Sequence, residues 1–324
     1  MHHTWRTSFA CSNSPIALTI GNFDGVHLGH QAILHRLKQA ANKLNIPACV
    51  MTFEPHSREF FAPDQAPVRL THLREKLQLM NRIHIDCVHI YRFNSHFAKI
   101  TAEQFIQQIL VEQLSVRWLL VGDDFRFGAK RQGDFAMLQA YSRQHGFEIE
   151  AMPSILTENQ RISSTLIRQA LNDNDLITAQ KFLGRPYSIT GRVIKGQQLG
   201  RKLGFPTANI AIHNNRPKLS GIFAVAVHGA VPSSSAAVLP AVASLGVRPT
   251  IHKNGKLLLE VHLFDFAQDI YGKQLQVDFL YKLRDEEEFA DLETLTDKIN
   301  NDVIQAKQFF LEQPIVADRL CIAR

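Results

Sequence analysis

The chain has 324 residues, of which 45% are hydrophobic and 20% charged, with 36 Lys and Arg against 30 Asp and Glu. This length favours two domains, because a single core seldom grows beyond about 250–300 residues. No apolar run approaches the ~20 residues of a membrane helix, and the first fifteen residues lack the apolar core of a signal peptide. The net charge of +6 is scattered, which favours anionic small molecules over nucleic acid as ligands.

The cysteines at positions 11, 49, 87 and 321 are far apart and form no C-x-x-C pair. Three of them lie in or near apolar segments, so we expect buried free thiols in a reducing compartment. A cytoplasmic, soluble protein is therefore predicted. The sequence does not determine the oligomeric state, and a monomer or weak self-association is expected.

The first half of the chain alternates apolar runs with segments of helical period, which is typical of a doubly wound α/β parallel sheet covered on both faces. The predicted strands are Ala17–Ile20, Ala48–Phe53, Cys87–Tyr91, Trp118–Val121 and Phe147–Met152. The predicted helices lie near His30–Leu44, Arg69–Ile83, Thr101–Leu114 and Gly133–His145, with a closing helical pair in Thr165–Leu183. This domain is predicted to span residues 1–185.

From residue 186 to 324 the pattern changes to short strands separated by Gly, Pro, Asn and Asp, which predicts an antiparallel β-barrel. Its predicted strands include Tyr187–Ile194, Phe223–Val227, Leu257–Phe264 and Leu275–Tyr281, and Gly229–Pro240 is predicted to be an exposed loop. A C-terminal helix follows. We expect its apolar stripe to be a packing surface, with members Phe289, Leu292, Ile299, Val303 and Phe310.

The first candidate site is the segment Gly21–His30, which reads GNFDGVHLGH between the first strand and the first helix. In such sheets ligands collect at this strand end, and a helix N-terminus suits a phosphate. His27 and His30 can face the same anion from one helical turn. A plain Asp-Gly turn with a capping histidine is the simpler alternative, and a zinc site is disfavoured because no matching ligand is near.

A second element, Arg161–Arg168, offers hydroxyl groups that can cap a helix and two arginines that can hold phosphates bidentately. Capping and phosphate binding are both expected here. The phosphate-binding residues predicted for this half are Gly21, Phe23, Asp24, Gly25, Gly29, Arg161, Ser163, Ser164, Thr165 and Arg168.

The His27–His30 element resembles the H-x-G-H signature of nucleotidylyltransferases, and Gly21–His30 resembles the FMN adenylyltransferase domain of bacterial bifunctional riboflavin kinase/FAD synthetases. The segments Gly122–Gly128 and Arg161–Arg168 match that family's flavin-side loop and second phosphate element. The resemblance implies that His27 and His30 stabilise the ATP phosphates during adenylyl transfer to FMN. It also implies flavin contacts from Asp123, Phe125 and Phe127. The family often has Pro where this chain has Ser57.

The second candidate site is the segment Gly191–Ile210, where glycines alternate with basic residues as in a loop that wraps phosphates. The predicted phosphate-binding residues are Gly196, Gly200, Lys202, Gly204 and Pro206. Thr207 and Asn209 offer oxygens of the kind that Mg²⁺ prefers. Glu260 interrupts an apolar strand, which costs free energy unless the carboxylate is paired or functional; the alternative is an exposed outer barrel face.

This half resembles riboflavin kinase through GRKLGFPTAN at residues 200–209 and SLGVRPT at residues 244–250. The resemblance implies that Thr207 and Asn209 hold Mg²⁺ with ATP and that Glu260 is the general base. It implies flavin contacts from Arg248, Arg284 and Glu286. Ser244 and Phe223 depart from the usual Asn and Tyr. The expected function is phosphorylation of riboflavin to FMN and adenylylation of FMN to FAD, with no nucleic-acid or membrane partner.

The sequence leaves two alternatives to a bifunctional enzyme open. Only one of the two domains could be active, or the chain could be a flavin- or RNA-binding regulator on a decayed enzyme scaffold. The second alternative predicts loss of the chemical residues, and His27, His30, Thr207, Asn209 and Glu260 are all present.

Overall fold

The computed structural model describes residues 2–6, 14–153, 156–157, 160–196, 199–212, 216–231, 238–247 and 257–314. By internal contacts the chain divides into two compact units, Met1–Ser164 and Thr165–Arg324. The predicted boundary at residue 185 stays a prediction, since the helical pair before it falls in the second unit. No helix in these described ranges is long and apolar enough to cross a membrane.

The first unit is built on a six-stranded sheet in the order β1-β4-β3-β2-β5-β6, in which β1 is antiparallel and the other five strands are parallel. The strands are β1 His2–Arg6, β2 Ile16–Ile20, β3 Ala48–Glu54, β4 Cys87–Arg92, β5 Val116–Gly122 and β6 Glu148–Met152. The five predicted strands and the doubly wound sheet are confirmed. The antiparallel edge strand β1 was not predicted, because its sequence HHTWR has one large apolar residue and no strand-like alternation.

Helices cover this sheet. They are α1 Leu28–Leu44, α2 Ser57–Phe61, α3 Leu73–Arg82, α4 Ala102–Gln104 and α5 Phe135–His145. The segment Phe105–Gln113 continues α4 with π-helical hydrogen bonds. All five residues of β2 are buried, as expected for a strand with a covered layer on each face. The chain leaves β2 toward β3 on one side and returns to β5 on the other, so a topological switch point lies between β2 and β5.

A short hairpin, β7 Leu156–Thr157 with β8 Gln160–Arg161, precedes the helical pair α6 Ser164–Asn172 and α7 Leu176–Leu183. In the second unit, six antiparallel strands close a barrel in the order β10-β13-β12-β11-β14-β9. They are β9 Tyr187–Ile194, β10 Ala208–Ala211, β11 Gly221–His228, β12 Leu239–Val247, β13 Leu257–Leu263 and β14 Gln274–Arg284. The predicted antiparallel barrel is confirmed.

Helix α8, Leu199–Lys202, lies in the basic loop, and α9, Leu292–Glu312, packs outside the barrel. Val303, Ile299 and Phe310 of α9 join an apolar cluster with Ala224 and Val242, which confirms the predicted packing surface. Leu292, by contrast, is 57% exposed. Residues 232–237 of the predicted loop Gly229–Pro240 lie outside the described residues, and its last two residues belong to β12, which begins at Leu239.

The cysteines differ from the expectation in one respect. Cys49 is a buried free thiol, and burial raises its pKa to about 12. Cys87 was expected to be free but is disulfide-bonded. The expectation of free thiols is therefore wrong for Cys87. The cysteines thus give no support for the predicted reducing compartment.

Candidate active sites

The first site is a cavity of about 340 Å³ at the carboxyl edge of the parallel sheet. Residues that directly follow three strands line it: Gly21 after β2, Asp123 after β5 and Pro153 after β6. The β2–β5 switch point opens here, which is where doubly wound sheets bind ligands. The predicted residues among its lining are Gly21, Phe23, His27, Gly29, His30, Asp123, Phe125, Arg161, Ser163 and Ser164.

His27 is the N-cap of α1, as the alternative with a capping histidine predicted. Its Nδ1 accepts a hydrogen bond from the backbone N–H of His30 at 3.3 Å, so the neutral ring carries its proton on Nε2. The rings of His27 and His30 stack with centroids 3.6 Å apart. A Cβ on Gly29 would lie 3.2 Å from Nδ1 of His27. Gly29 thus leaves room for the ring that faces the cavity.

His30 lies between two rings, with Phe23 5.1 Å away on one side and His27 on the other. Its Nδ1 is buried and has no hydrogen-bond partner within the described part of the chain. Burial lowers the pKa of His30 well below its usual value, and electrostatic interactions with His27 and Lys76 lower it further. At neutral pH the imidazole is therefore uncharged.

Asp24 and Gly25 do not line the cavity. The Asp24 carboxylate accepts hydrogen bonds from the backbone N–H groups of Leu70 and Thr71 at 2.9–3.1 Å, and its backbone oxygen accepts one from the Ser164 hydroxyl at 2.9 Å. Through these contacts Asp24 joins the phosphate loop to the start of α6. Direct contact between Asp24 and the nucleotide stays a prediction, and the position of Asp24 outside the cavity lining does not support it.

Strain marks the same loop. Phe23 and Val26 have φ of 50° and 41°, a region that costs a non-glycine residue about 1–3 kcal/mol. Both side chains are almost fully buried, at 2% and 0% exposure. Gly21 leaves room for the Phe23 ring, which a Cβ there would meet at 3.0 Å. Such strain persists only where the surroundings hold it, and it is typical of functional loops.

The predicted flavin-side loop follows β5. Phe125 and Asp123 line the cavity, whereas Phe127 is 6% exposed, stacks on Phe125 and packs in the core. Asp124, which sequence reasoning passed over, pairs with Arg161 at 2.8 Å. A carboxylate directly after a central strand is the signal that could have revealed it. Arg161 is thus held at the cavity mouth in the absence of phosphate.

The β3–α2 loop, where Ser57 replaces the family's Pro, is well anchored. Arg69 binds Glu54 at 2.7 Å and also pairs with Glu59. His56 caps α2 by accepting a hydrogen bond from the Arg58 N–H at 3.0 Å. Ser57 is therefore the first residue of a capped helix.

Thr165 and Arg168, which were predicted to bind phosphate, lie in α6. Their roles stay predictions.

The second site lies on the outer face of the barrel. Asn209 and Glu260 are direct partners across β10 and β13, and Ser244 is the partner of Glu260 on β12. Leu259 and Val261, which flank Glu260, point into the barrel and are fully buried. The side chains of β13 therefore alternate between the two faces of the barrel wall. Glu260 lies on the outer face, as the alternative held, but in a cavity and not in open solvent.

That cavity measures about 500 Å³, a usual size for a small-molecule site. Helix α9 supplies one wall with Leu295, Ile299 and Asp302. The predicted residues that line it are Gly196, Gly200, Thr207, Asn209 and Glu260, together with Ser244. These residues bring one amide, two hydroxyls and one carboxylate together, and Lys195, His262 and Asp302 add further polar groups to the lining.

A second cavity of about 480 Å³ adjoins it, and Thr207 lines both. Gly204, Pro206 and Arg201 reach this cavity from the basic loop, and the opposite wall is the segment Phe266–Tyr271. Sequence reasoning assigned no residue of that segment to the site. Two ligands could therefore meet at Thr207.

Two glycines are fixed by close packing around the predicted metal ligands. A Cβ on Gly196 would overlap the side-chain amide of Asn209, and one on Gly200 would overlap the backbone oxygen of Phe205 and lie 3.2 Å from Oγ1 of Thr207. Glycine is thus required here for close approach. The Lys202 side chain and Arg248 lie outside the described residues.

The remaining predicted flavin contacts already have protein partners. Arg284 forms two hydrogen bonds of 2.8 Å with the buried Asp302 and packs over Phe289. Glu286 accepts a hydrogen bond from the Ser244 hydroxyl at 3.1 Å. Phe223, the other departure from the family pattern, is fully buried edge-to-face against Phe279, so this change lies in the barrel core.

Comparison with known proteins gives a family match for each half of the chain. Residues 10–166 match the family model described as FAD synthetase, and residues 183–310 match the model described as riboflavin kinase. The bifunctional riboflavin kinase/FMN adenylyltransferase of Haemophilus influenzae is 49% identical over 311 residues, covering 96% of this chain and 97% of that protein. The Escherichia coli K12 protein of the same name is 46% identical, covering 90% and 92%.

A crystal structure described as a macrolide-efflux protein from Streptococcus pneumoniae has a TM-score of 0.78 and 29% identity, covering 92% of this chain and 95% of that one. It supports the fold over both units. The two family models, in this order along one chain, and relatives that match over nearly their full lengths identify the family. The chain belongs to the bifunctional riboflavin kinase/FMN adenylyltransferases and carries both enzymatic domains.

Proposed function

We propose that the two reactions take place at the two sites described above, with FMN adenylylation in the sheet-edge cavity and riboflavin phosphorylation on the outer barrel face. The observation that carries this assignment is the cross-strand pair Asn209–Glu260 beside Thr207, which assembles metal ligands and a carboxylate in one cavity. In the first unit, the assignment depends on the stacked His27–His30 pair, which lines the sheet-edge cavity.

In the kinase site, Thr207 and Asn209 would hold Mg²⁺, whose preference for oxygen ligands fits their hydroxyl and amide groups. The ion supplies charge neutralisation for the phosphates of ATP. Glu260 takes the proton from the ribityl hydroxyl while that oxygen bonds to the γ-phosphorus and the bond to the ADP oxygen breaks. We propose that riboflavin and ATP occupy these two neighbouring cavities, one each, because the cavities meet at Thr207.

In the adenylyltransferase site, the FMN phosphate attacks the α-phosphorus of ATP and pyrophosphate leaves. No protein nucleophile is needed, so positioning and charge stabilisation carry the rate. His27 donates from Nε2 and His30 gains a proton as the triphosphate approaches. Arg161 exchanges Asp124 for phosphate, while Asp123 and Phe125 face the flavin. Thr165 and Arg168 would complete the phosphate contacts from α6.

The remaining predicted residues take supporting parts. Phe127 supports the flavin-side loop by stacking on Phe125. Arg284 anchors α9 through its hydrogen bonds with Asp302, and Glu286 orients Ser244 by accepting its hydroxyl hydrogen bond. We propose that the protein acts in the cytoplasm, where ATP is available; the cysteines do not support this placement. We expect no nucleic-acid partner.

Incubation with riboflavin, ATP and Mg²⁺, followed by separation of the flavins, tests the two-site assignment. The wild type should give FMN and then FAD. His30→Ala should accumulate FMN without FAD. Loss of both products in His30→Ala, with the barrel still folded, would refute the separation of sites. Tight, salt-sensitive RNA binding without turnover would favour the regulator instead.

A further inference from the structure

Thr71 lies just before α3, 46 residues beyond the phosphate loop in sequence, and it does not line the cavity. Its hydroxyl nevertheless contacts that loop twice. Oγ1 accepts a hydrogen bond from the Gly25 N–H at 2.9 Å and lies 3.3 Å from Oδ1 of Asp24, to which it donates. The Thr71 N–H donates to the same oxygen at 2.9 Å.

These contacts act where the loop is strained. Phe23, Gly25 and Val26 all have positive φ, and Gly25 and Asp24 are the two residues held by Thr71. Thr71 is 6% exposed and Asp24 is 7% exposed, so bulk water has little access to replace a missing hydroxyl. Directly after Val26, His27 caps α1 and stacks on His30.

We propose that Thr71 is a positioning residue for adenylyl transfer. Its hydroxyl, acting through Asp24 and Gly25, fixes the loop so that His27 and His30 meet the triphosphate in a ready-made geometry. This inference rests on the assignment of adenylyl transfer to the first cavity. The chemistry it requires is specific: one group must accept a hydrogen bond from an amide and donate another to a carboxylate. A hydroxyl does both, and a methyl group does neither.

The test compares Thr71→Val, which keeps the shape and removes the hydroxyl, with Thr71→Ser, which keeps the hydroxyl. Thr19→Val is the matched control, because Thr19 is a buried threonine of β2 that makes no hydrogen bond with Asp24 or Gly25. FAD formation from FMN and FMN formation from riboflavin are measured on each sample. Both tryptophans of the chain, Trp5 and Trp118, lie in the first unit, so their fluorescence gives its folded fraction.

Per folded first unit, Thr71→Val should lower kcat for FAD formation about 10- to 100-fold, the scale of a misplaced site, with a smaller change in KM for FMN. Thr71→Ser and Thr19→Val should stay within about threefold of wild type, and FMN formation should not change. Hydrogen exchange in residues 21–30 should accelerate in Thr71→Val and not in Thr71→Ser. A purely structural role would instead lower the folded fraction and leave the corrected kcat unchanged.

The proposal fails if Thr71→Val keeps its corrected kcat within threefold, or if Thr71→Ser is as impaired as Thr71→Val. Should Thr71→Val not fold, Thr71→Cys replaces it, because a thiol of similar size is a weak donor and acceptor. The same loss of corrected kcat is then expected, and its absence overturns the proposal. If instead FAD formation proves insensitive to His30→Ala, the site assignment itself has failed, and the Thr71 result is not its cause.

Discussion

Asn209 on β10 and Glu260 on β13 are direct cross-strand partners on the outer face of the barrel. Asn209 is almost fully buried and Glu260 is half-buried beneath the wall formed by α9. Facing residues of antiparallel strands have Cβ atoms about 5 Å apart. The proposed metal ligand and the proposed proton acceptor are thereby held at a separation that suits a phosphoryl group and its attacking hydroxyl.

Glu260→Gln should lower FMN formation about 100- to 10,000-fold, the range for loss of a general base. The amide keeps the shape of the side chain but cannot take a proton. FAD formation from added FMN should stay at the wild-type rate and serves as the control in the same sample. Equal loss of both activities would contradict the assignment of Glu260 to one reaction only.

The ion pair between Arg284 and Asp302 fixes α9 on the barrel, and Asp302 also lines the cavity under α9. Asp302→Ala leaves the mostly buried guanidinium without its carboxylate, which should cost roughly 3 kcal/mol of barrel stability. The wall formed by Leu295 and Ile299 should loosen, so we expect KM for riboflavin to rise about tenfold for each ~1.4 kcal/mol of binding lost.

Lys298→Ala is the matched control on the same helix. Lys298 pairs with Glu287 at 3.4 Å, with both side chains well exposed, so its removal should cost less than about 1 kcal/mol. Steady-state kinetics with riboflavin and thermal unfolding of both variants check this. An unchanged KM in Asp302→Ala would show that the ion pair does not maintain the cavity.

Local features of both sites could be predicted from sequence, whereas their long-range partners could not. His27, Gly29 and His30 lie within four successive positions at a strand–turn–helix junction, so the motif itself specifies the geometry. Arg284 matched a flavin-binding motif, but its guanidinium binds Asp302, 18 residues further on. Thr71 carried no local signal, because its partners lie 46 and 47 residues away.

Two of the strands that escaped prediction, β10 and β1, did so for related reasons. Strand β10 is four residues long and lies inside the phosphate-loop motif, so its composition was attributed to ligand binding. Strand β1 is an edge strand paired on one side only, by β4, and needs no continuous apolar run. In both cases the strand exists because of pairing with a distant segment, which periodicity along the chain cannot detect.

Gly29→Ala should lower FAD formation about tenfold, because the added Cβ would lie 3.2 Å from Nδ1 and Cε1 of His27 and displace a ring that faces the cavity. Alanine forms helix better than glycine by about 1 kcal/mol, so α1 itself should not be weakened. Kinetics and tryptophan fluorescence on the same sample separate the two effects. A destabilised first unit with unchanged corrected kcat would contradict the steric explanation.

The depressed pKa of His30 predicts how the stability of the first unit depends on pH. Burial lowers this pKa, and His27 and Lys76 lower it further, so the unfolded chain binds a proton that the folded chain resists. Stability from His30 is therefore complete above the ordinary histidine pKa of about 6.5 and falls as the pH drops below that value.

Urea unfolding of the first unit, followed by tryptophan fluorescence, should show a midpoint that falls from pH 7.5 to pH 5.0. His30→Gln cannot take up the proton, so its midpoint should fall less over the same interval. The difference between the midpoint shifts of the two proteins reports on His30, because both proteins contain all the other histidines. Addition of ATP should reduce that difference, because the triphosphate favours the charged imidazole and thereby raises the His30 pKa. An equal pH dependence in both proteins would mean that folding leaves the pKa of His30 unchanged, which would contradict the predicted effect of burial.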